Sequence, residues 1–153
     1  VSTLRNQNNR NYRFSTHGAV PARQLLMNVS QLRTNDHVVI LGIRTLDYLL
    51  ELVKSGCRNA TASNPKFVGH LSDSADIVWL IGTEALVDEA VPFNELGTPR
   101  LVAIVLSEHD AREGVPKILA RLRAKGLVRT STHKASDGSV VVASRPAWLH
   151  QVL

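Results

Sequence analysis

The 153-residue sequence has one cysteine, one methionine, two tryptophans, two tyrosines and three phenylalanines. A lone thiol, Cys57, excludes an internal disulfide framework and suits a reducing compartment, so the fold must rest on core burial. One domain of this length buries roughly two thirds of the surface its unfolded chain would expose. Cys57 follows an apolar helical pattern and lacks the His and Asp neighbours of a thiol nucleophile, so it reads as a small, partly buried apolar residue. Long hydrophobic runs are missing too. "VVILGI", "IVWLIG" and "LVAIVL" are strand-sized against the ~20 residues needed to span a bilayer, and no membrane association is expected. The six histidines, His17, His37, His70, His109, His133 and His150, show none of the close pair spacings of a zinc helix or knuckle, so no metal is expected.

Acidic residues are absent from the first 33 positions, which carry Arg5, Arg10, Arg13, Arg23 and Arg33. The other 13 basic residues are matched by 13 acids, so the net charge of +5 belongs to this end of the chain. Residues 1–18, "VSTLRNQNNRNYRFSTHG", are rich in Asn and Arg and poor in aliphatics, too little to offset their ordering entropy by burial. They read as a basic, flexible arm ahead of a single domain over residues 19–153. The arm can meet phosphate through Arg5, Arg10 and Arg13 with Tyr12 and Phe14 free to stack, dock on a protein, or be the remnant of a transit-like leader. A leader would place the protein in the mitochondrial matrix; otherwise a cytoplasmic location is expected.

Within the domain, the apolar spacing from Leu25 to Leu32 predicts a helix after Pro21. "HVVILGI" is a continuous β-branched run of the kind buried on both faces of a sheet. Leu46, Leu49, Leu50 and Val53 then repeat with helical spacing, and Gly56 stands where a left-handed cap would end that helix. "NATAS" is a weaker strand, "ADIVWLIG" and "PRLVAIVLS" are further buried runs, and "TEALVDEAV" between them is a short helix candidate. The acids of "SEHDARE" read as a solvated loop and helix N-terminus. "EGVPKILARLRAKG" is a helix expected to start near Pro116 and to stop at Gly126. "LVRTSTHK" and "SVVVASR" flank Asp137-Gly138, a hairpin signal, and "AWLHQVL" suits a final helical turn. Trp79 belongs to the core, and Trp148 is a candidate docking contact. The class is α/β: a mostly parallel sheet with helices on both faces and a C-terminal antiparallel hairpin.

That finish, helix, strand, tight hairpin and strand after a parallel sheet, resembles the class I S-adenosylmethionine-dependent methyltransferase fold over roughly residues 37–146. "SADIVWLIG" is similar to the family's fourth strand, with Asp76 at its start, and "LGTPRLVAIVLS" to its fifth. The resemblance implies a strand ending in an acid, then a glycine-rich turn around the cofactor. Here Gly42 matches the first glycine, but Ile40 replaces the acid, and Arg44 and Leu46 replace the next two glycines. Asn64 replaces the acid that accepts both ribose hydroxyls. The ten residues from Lys66 to Ala75 are too few for the family's third strand and the helix before it, which are expected to be missing and to leave "NATAS" as a sheet edge. "TEAL" stands where a "DPPY"-type tetrapeptide would, so no catalytic residue carries over.

These readings converge on a non-catalytic, methyltransferase-like binding or regulatory module, a pseudoenzyme with no cofactor. Bulky side chains are expected to fill the pocket, and a protein partner or dimer is expected, with either the arm or a second copy on the edge strand. One alternative is an active S-adenosylmethionine-dependent methyltransferase with an altered pocket around Gly42, Ile43 and Asn64. Another is a nucleic-acid-binding protein using the arm or a winged-helix-like C-terminal segment.

Overall fold

The computed structural model describes residues 20–42, 44–63, 75–82 and 98–146, and of 108–114 the backbone only. The arm, Ile43, Asn64, the short helix candidate beginning at Thr83, and Trp148 with the C-terminal turn lie outside the described residues. The described elements are α1 (Ala22–Ser30), β1 (His37–Gly42), α2 (Thr45–Lys54), β2 (Asn59–Ser63), β3 (Ile77–Ile81), β4 (Leu101–Leu106), α3 (Glu108–Ala124), β5 (Arg129–Ala135) and β6 (Gly138–Ser144).

The six strands form one sheet in the order β2-β1-β3-β4-β6-β5. β2, β1, β3 and β4 are parallel, whereas β6 runs antiparallel to β4 and β5 antiparallel to β6. The three β-branched runs lie in the middle because helices cover both faces and no position on them can be polar. On one face Val39, Leu41, Val78, Leu80, Val102 and Ile104 pack with Ile118 and Leu122 of α3. On the other, Val38, Ile40, Ile77 and Trp79 pack with Leu26 of α1 and with Tyr48 and Leu52 of α2. Trp79 is fully buried, as a core residue should be. Its indole N–H donates to Ser30 Oγ at 2.8 Å, and Tyr48 meets it edge-on at 6.4 Å. The satisfied N–H is what lets so large a polar-tipped ring sit in the core. Cys57 is partly buried against the same cluster.

The hairpin falls where Asp137-Gly138 marks it, and its tip has a second task. Asp137 Oδ1 accepts the Ala22 N–H at 2.9 Å, capping a helix whose own N-cap position, Pro21, has no side-chain donor or acceptor. Gly138 is required by a close approach: a Cβ there would lie 2.2 Å from the Leu106 carbonyl oxygen.

Three details differ from expectation. The apolar spacing of α2 is real but marks the outer face: Leu46, Leu50 and Val53 are 63%, 51% and 58% exposed, while Tyr48 and Leu52 face the sheet. α3 starts at Glu108, with Pro116 inside it rather than near its start, at the expense of one intrahelical hydrogen bond. Asp76 has a structural role, since its carboxylate accepts the His37 N–H at 2.8 Å and joins the starts of β1 and β3. Among the described residues, β2 pairs with β1 alone and forms the sheet edge, as expected.

The amino ends of the parallel strands are held by a carboxylate that the sequence reading did not single out. Asp36, 5% exposed, accepts the Arg33 N–H at 2.6 Å and both terminal nitrogens of Arg100, 64 residues away. Burial opposes its ionisation, but these hydrogen bonds and the Arg100 charge outweigh burial and hold its carboxyl below the usual carboxylate range. A depressed carboxylate contributes stability that is complete above the unfolded value and lost as pH falls through the folded one.

Asp36→Ala should therefore cost about 1–3 kcal/mol at neutral pH, because Arg100, partly buried, keeps only its bond to the Gln31 carbonyl. The deficit relative to the parent, read by urea unfolding, should shrink as pH falls below about 4. Leu52→Ala should cost about 2–5 kcal/mol, and Leu50→Ala no more than about 0.5 kcal/mol; equal costs would mean that α2 is rotated from the orientation described.

Candidate functional site

From β1 the chain passes to β2 on one side and then returns to β3 on the other, so the order reverses between β1 and β3. In an open parallel sheet, ligands occupy the crevice beyond the carboxyl ends at such a switch point. Here those ends are Gly42 of β1 and Ile81 of β3, which are in register, followed by Gly82. Gly42 has φ +128°, and a Cβ on it would stand 1.7 Å from the Ile81 carbonyl oxygen. Strand packing alone therefore dictates this glycine. Gly82 also has positive φ, at +76°. Ser63 ends β2 beside them.

The next residues test whether a nucleoside cofactor still fits. Arg44 immediately precedes α2 in the left-handed conformation, φ 53° and ψ 32°. An L-residue there costs about 1–2 kcal/mol relative to a right-handed one, yet the turn forms without a glycine. Arg44 and Leu46 are both exposed. The expected steric closure fails at these two positions, because a left-handed Arg44 carries its side chain into solvent and Leu46 lies on the outer face of α2. The acidic anchor is a different matter. Ile40, matched to the family's acid, is fully buried in mid-strand beside Trp79 and packs into the core. The carboxyl ends of β1, β2 and β3, at Gly42, Ser63 and Gly82, carry no ionisable side chain.

Among the described residues, neither Gly42 nor Arg44 nor Leu46 closes the crevice, and no strand end there carries a charge. The first turn of α2, whose N–H groups have no partner within the helix, is the helix's positive end and has no side-chain cap from Arg44; Asp47 lies in that turn. Among the candidate residues, Gly42 alone is placed; Ile43, Asn64, Arg5, Arg10, Tyr12, Arg13 and Phe14 lie outside the described residues. Among the described residues no group of three or more His, Cys, Asp or Glu could hold a metal ion, and no helix is long and apolar enough to cross a membrane.

A mostly parallel, singly reversed sheet with this terminal hairpin defines the methyltransferase-like Rossmann class. Solved structures agree. Magnesium protoporphyrin IX methyltransferase from Synechocystis, with S-adenosylhomocysteine bound, superposes with a TM-score of 0.54 at 12% identity over 81% of this chain and 80% of that one. A Rossmann-superfamily protein from Streptococcus agalactiae gives 0.57 at 10% identity, covering 80% of this chain and 67% of its own. A protein described as a tRNA methyltransferase from Streptococcus pneumoniae, in complex with S-adenosylmethionine, gives 0.50 at 10% identity over 82% and 73%. No protein-family model and no curated protein matches the sequence. The chain has the methyltransferase-like fold. The expectation of no cofactor is overturned by this comparison, because proteins sharing the fold hold S-adenosylmethionine or its product.

Arg44→Gly should relieve the left-handed strain and raise stability by up to about 1 kcal/mol, less whatever the glycine's extra unfolded-state entropy removes. A thermal melt checks this, and a fall in stability would mean that the arginine side chain holds the turn.

Proposed function

We propose that this domain holds S-adenosylmethionine in the crevice between β1 and β3 and acts as a binding or regulatory module rather than as a methyl-transferring enzyme. The observation that carries the reading is the left-handed turn at Arg44, which keeps the backbone path of a glycine turn while directing its side chain outward. Gly42, Gly82 and the first turn of α2 would hold the cofactor, and the neighbours of the same fold support its identity. When bound, the group supplies a methyl on a sulfonium, open to attack by a nucleophile. Buried Ile40, in the acid's place, cannot accept the cofactor's donors. Loss of one charged hydrogen bond weakens binding by about 1.5–3 kcal/mol, roughly 10- to 100-fold.

Calorimetry of the full chain with S-adenosylmethionine should give saturable binding that Arg44→Gly leaves within a few-fold, because the arginine side chain already points away from the crevice. No heat up to ~1 mM, the concentration matching about −4 kcal/mol, would end the cofactor reading. Methyl-labelled cofactor incubated with the protein and cell extract should leave macromolecules unlabelled; labelling beyond a no-enzyme control would establish a transferase instead.

A second reading, self-association, is favoured by the flank of α2. Tyr48 points inward to Trp79, which turns the opposite flank, with Leu46, Leu49 and Val53, toward the β2 edge. That edge, Asn59–Ser63, carries no charge and no proline, the usual protections against edge pairing. A second copy suits the surface. Across a two-fold axis near Leu50 the antiparallel helices bring Asp47 of each opposite Lys54 of the other, so charge and apolar stripe match together. Sedimentation should show a dimer that Leu50→Glu dissociates. Asp47→Lys should weaken it and Asp47→Lys with Lys54→Asp restore it; a monomeric parent, or a dimer indifferent to all three, refutes the interface.

A further inference from the structure

At the opposite end of the sheet from the crevice lies an open cavity of about 1130 Å³. It is bordered by the C-terminal end of α1, the loop entering β1, and the adjoining ends of β4, β6 and β5. Topology alone assembles it. Arg129 and Ser144 are register partners, as are Ser144 and Leu101, so Arg129, Arg100 and Arg145 gather at one sheet end although spread over 46 positions. Arg33 joins them because Asp36 accepts its backbone N–H and pins the loop. On β5, Arg129, Ser131 and His133 alternate with period two and face the cavity.

The lining contains four arginines and no carboxylate. Two of the arginines are committed to the fold. Arg100 is bound to Asp36, and Arg145 donates from Nε to the Pro99 carbonyl at 2.9 Å, leaving its terminal nitrogens. Arg33 and Arg129 are exposed. So much like charge around one concavity repels itself, and an anion inside it relieves that repulsion.

Three features identify the anion. The cavity is larger and more open than the roughly 300–1000 Å³ clefts that enclose small ligands, and 11 of its 14 lining residues are polar where such clefts are lined mostly by apolar side chains. No Phe, Tyr or Trp lines it, and its one ring, the His133 imidazole, is hydrogen-bonded to Ser131 at 2.9 Å, so it offers no platform for a run of stacked bases. The basic and hydroxyl groups of β5 recur about every 7 Å, the scale of a nucleotide step in an extended strand. We infer that this groove binds the phosphodiester backbone of a nucleic acid, by charge and without reading sequence. It lies across the sheet from the proposed cofactor crevice and does not depend on that reading.

The test uses the full chain and fluorescence anisotropy with labelled 20-nucleotide RNA and DNA single strands and a DNA duplex. Binding should weaken steeply with salt, as counterion release requires. Arg33→Gln with Arg129→Gln should weaken single-strand binding at least tenfold at low salt and flatten the log–log salt slope by about 1.4, two contacts at ~0.7 each. Both side chains are exposed, so circular dichroism should be unchanged. Lys117→Gln with Arg123→Gln removes the same charge from exposed positions of α3, on the other face of the sheet, and should leave binding nearly intact.

Equal losses in the two double variants would reduce the effect to net charge and overturn the groove. So would binding abolished by deleting residues 1–18 but indifferent to Arg33 and Arg129, which would move the contact to the arm. No binding of any of the three oligonucleotides at low salt overturns the inference outright.

Discussion

The ion pair between Asp36 and Arg100 is the constraint on which the lower half of the molecule depends. It ties the loop before β1 to the residue before β4, across β3, which lies between those two strands. Backbone bonds extend the clamp: Asp76 N–H to His37 O, Arg100 N–H to Asp76 O, and Arg145 N–H to Arg100 O. Four chain segments distant in sequence therefore begin or end at one level. Parallel strands have no hairpins to fix their relative height, so a polar clamp at their starts sets what a turn would set in an antiparallel pair. Only Asp36 is buried, and Arg100 reaches it from a partly exposed position, so the pair sets the alignment of the strands more than it adds net stability.

The elements legible in the sequence are those whose signal is local. Continuous β-branched runs placed β1, β3 and β4, Asp137-Gly138 placed the hairpin, and Gly56, with φ +97°, ended α2 where expected. What was illegible depends on a neighbour. α2 carries apolar residues around more than half its circumference, so periodicity cannot say which arc is buried. Tyr48 decides it through Trp79, and Trp79 is anchored by Ser30 of another helix. Asp36 and Arg100 likewise look like ordinary loop charges until the topology sets them side by side.

The candidate site was half legible for a similar reason. Gly42 stands at the switch point as its match to the family's first glycine implies, but the cause is the Ile81 carbonyl rather than a ligand. Arg44 was read as an obstruction because a left-handed residue is usually glycine. Backbone conformation and side-chain direction are separate matters, and a left-handed arginine at a helix start can satisfy the turn while leaving the crevice clear. The basic groove had one local trace, the alternation of Arg129, Ser131 and His133; Arg100 and Arg145 were assigned to separate strand ends, and pairing of β4 with β6 is what joins them.

The two ends of the sheet are electrostatically unlike, and this bears on how the fold is used. At the carboxyl ends of β1, β2 and β3 the described strand termini, Gly42, Ser63 and Ile81, are neutral. Around the amino ends of β1 and β4 stand Arg33, Arg100, Arg129 and Arg145. A sulfonium centre carries positive charge, so neutral strand termini suit it better than arginines would. A polyanion has the opposite preference. The strands between these ends are packed on both faces, so the arginines of the amino end stand apart from the carboxyl ends of β1, β2 and β3.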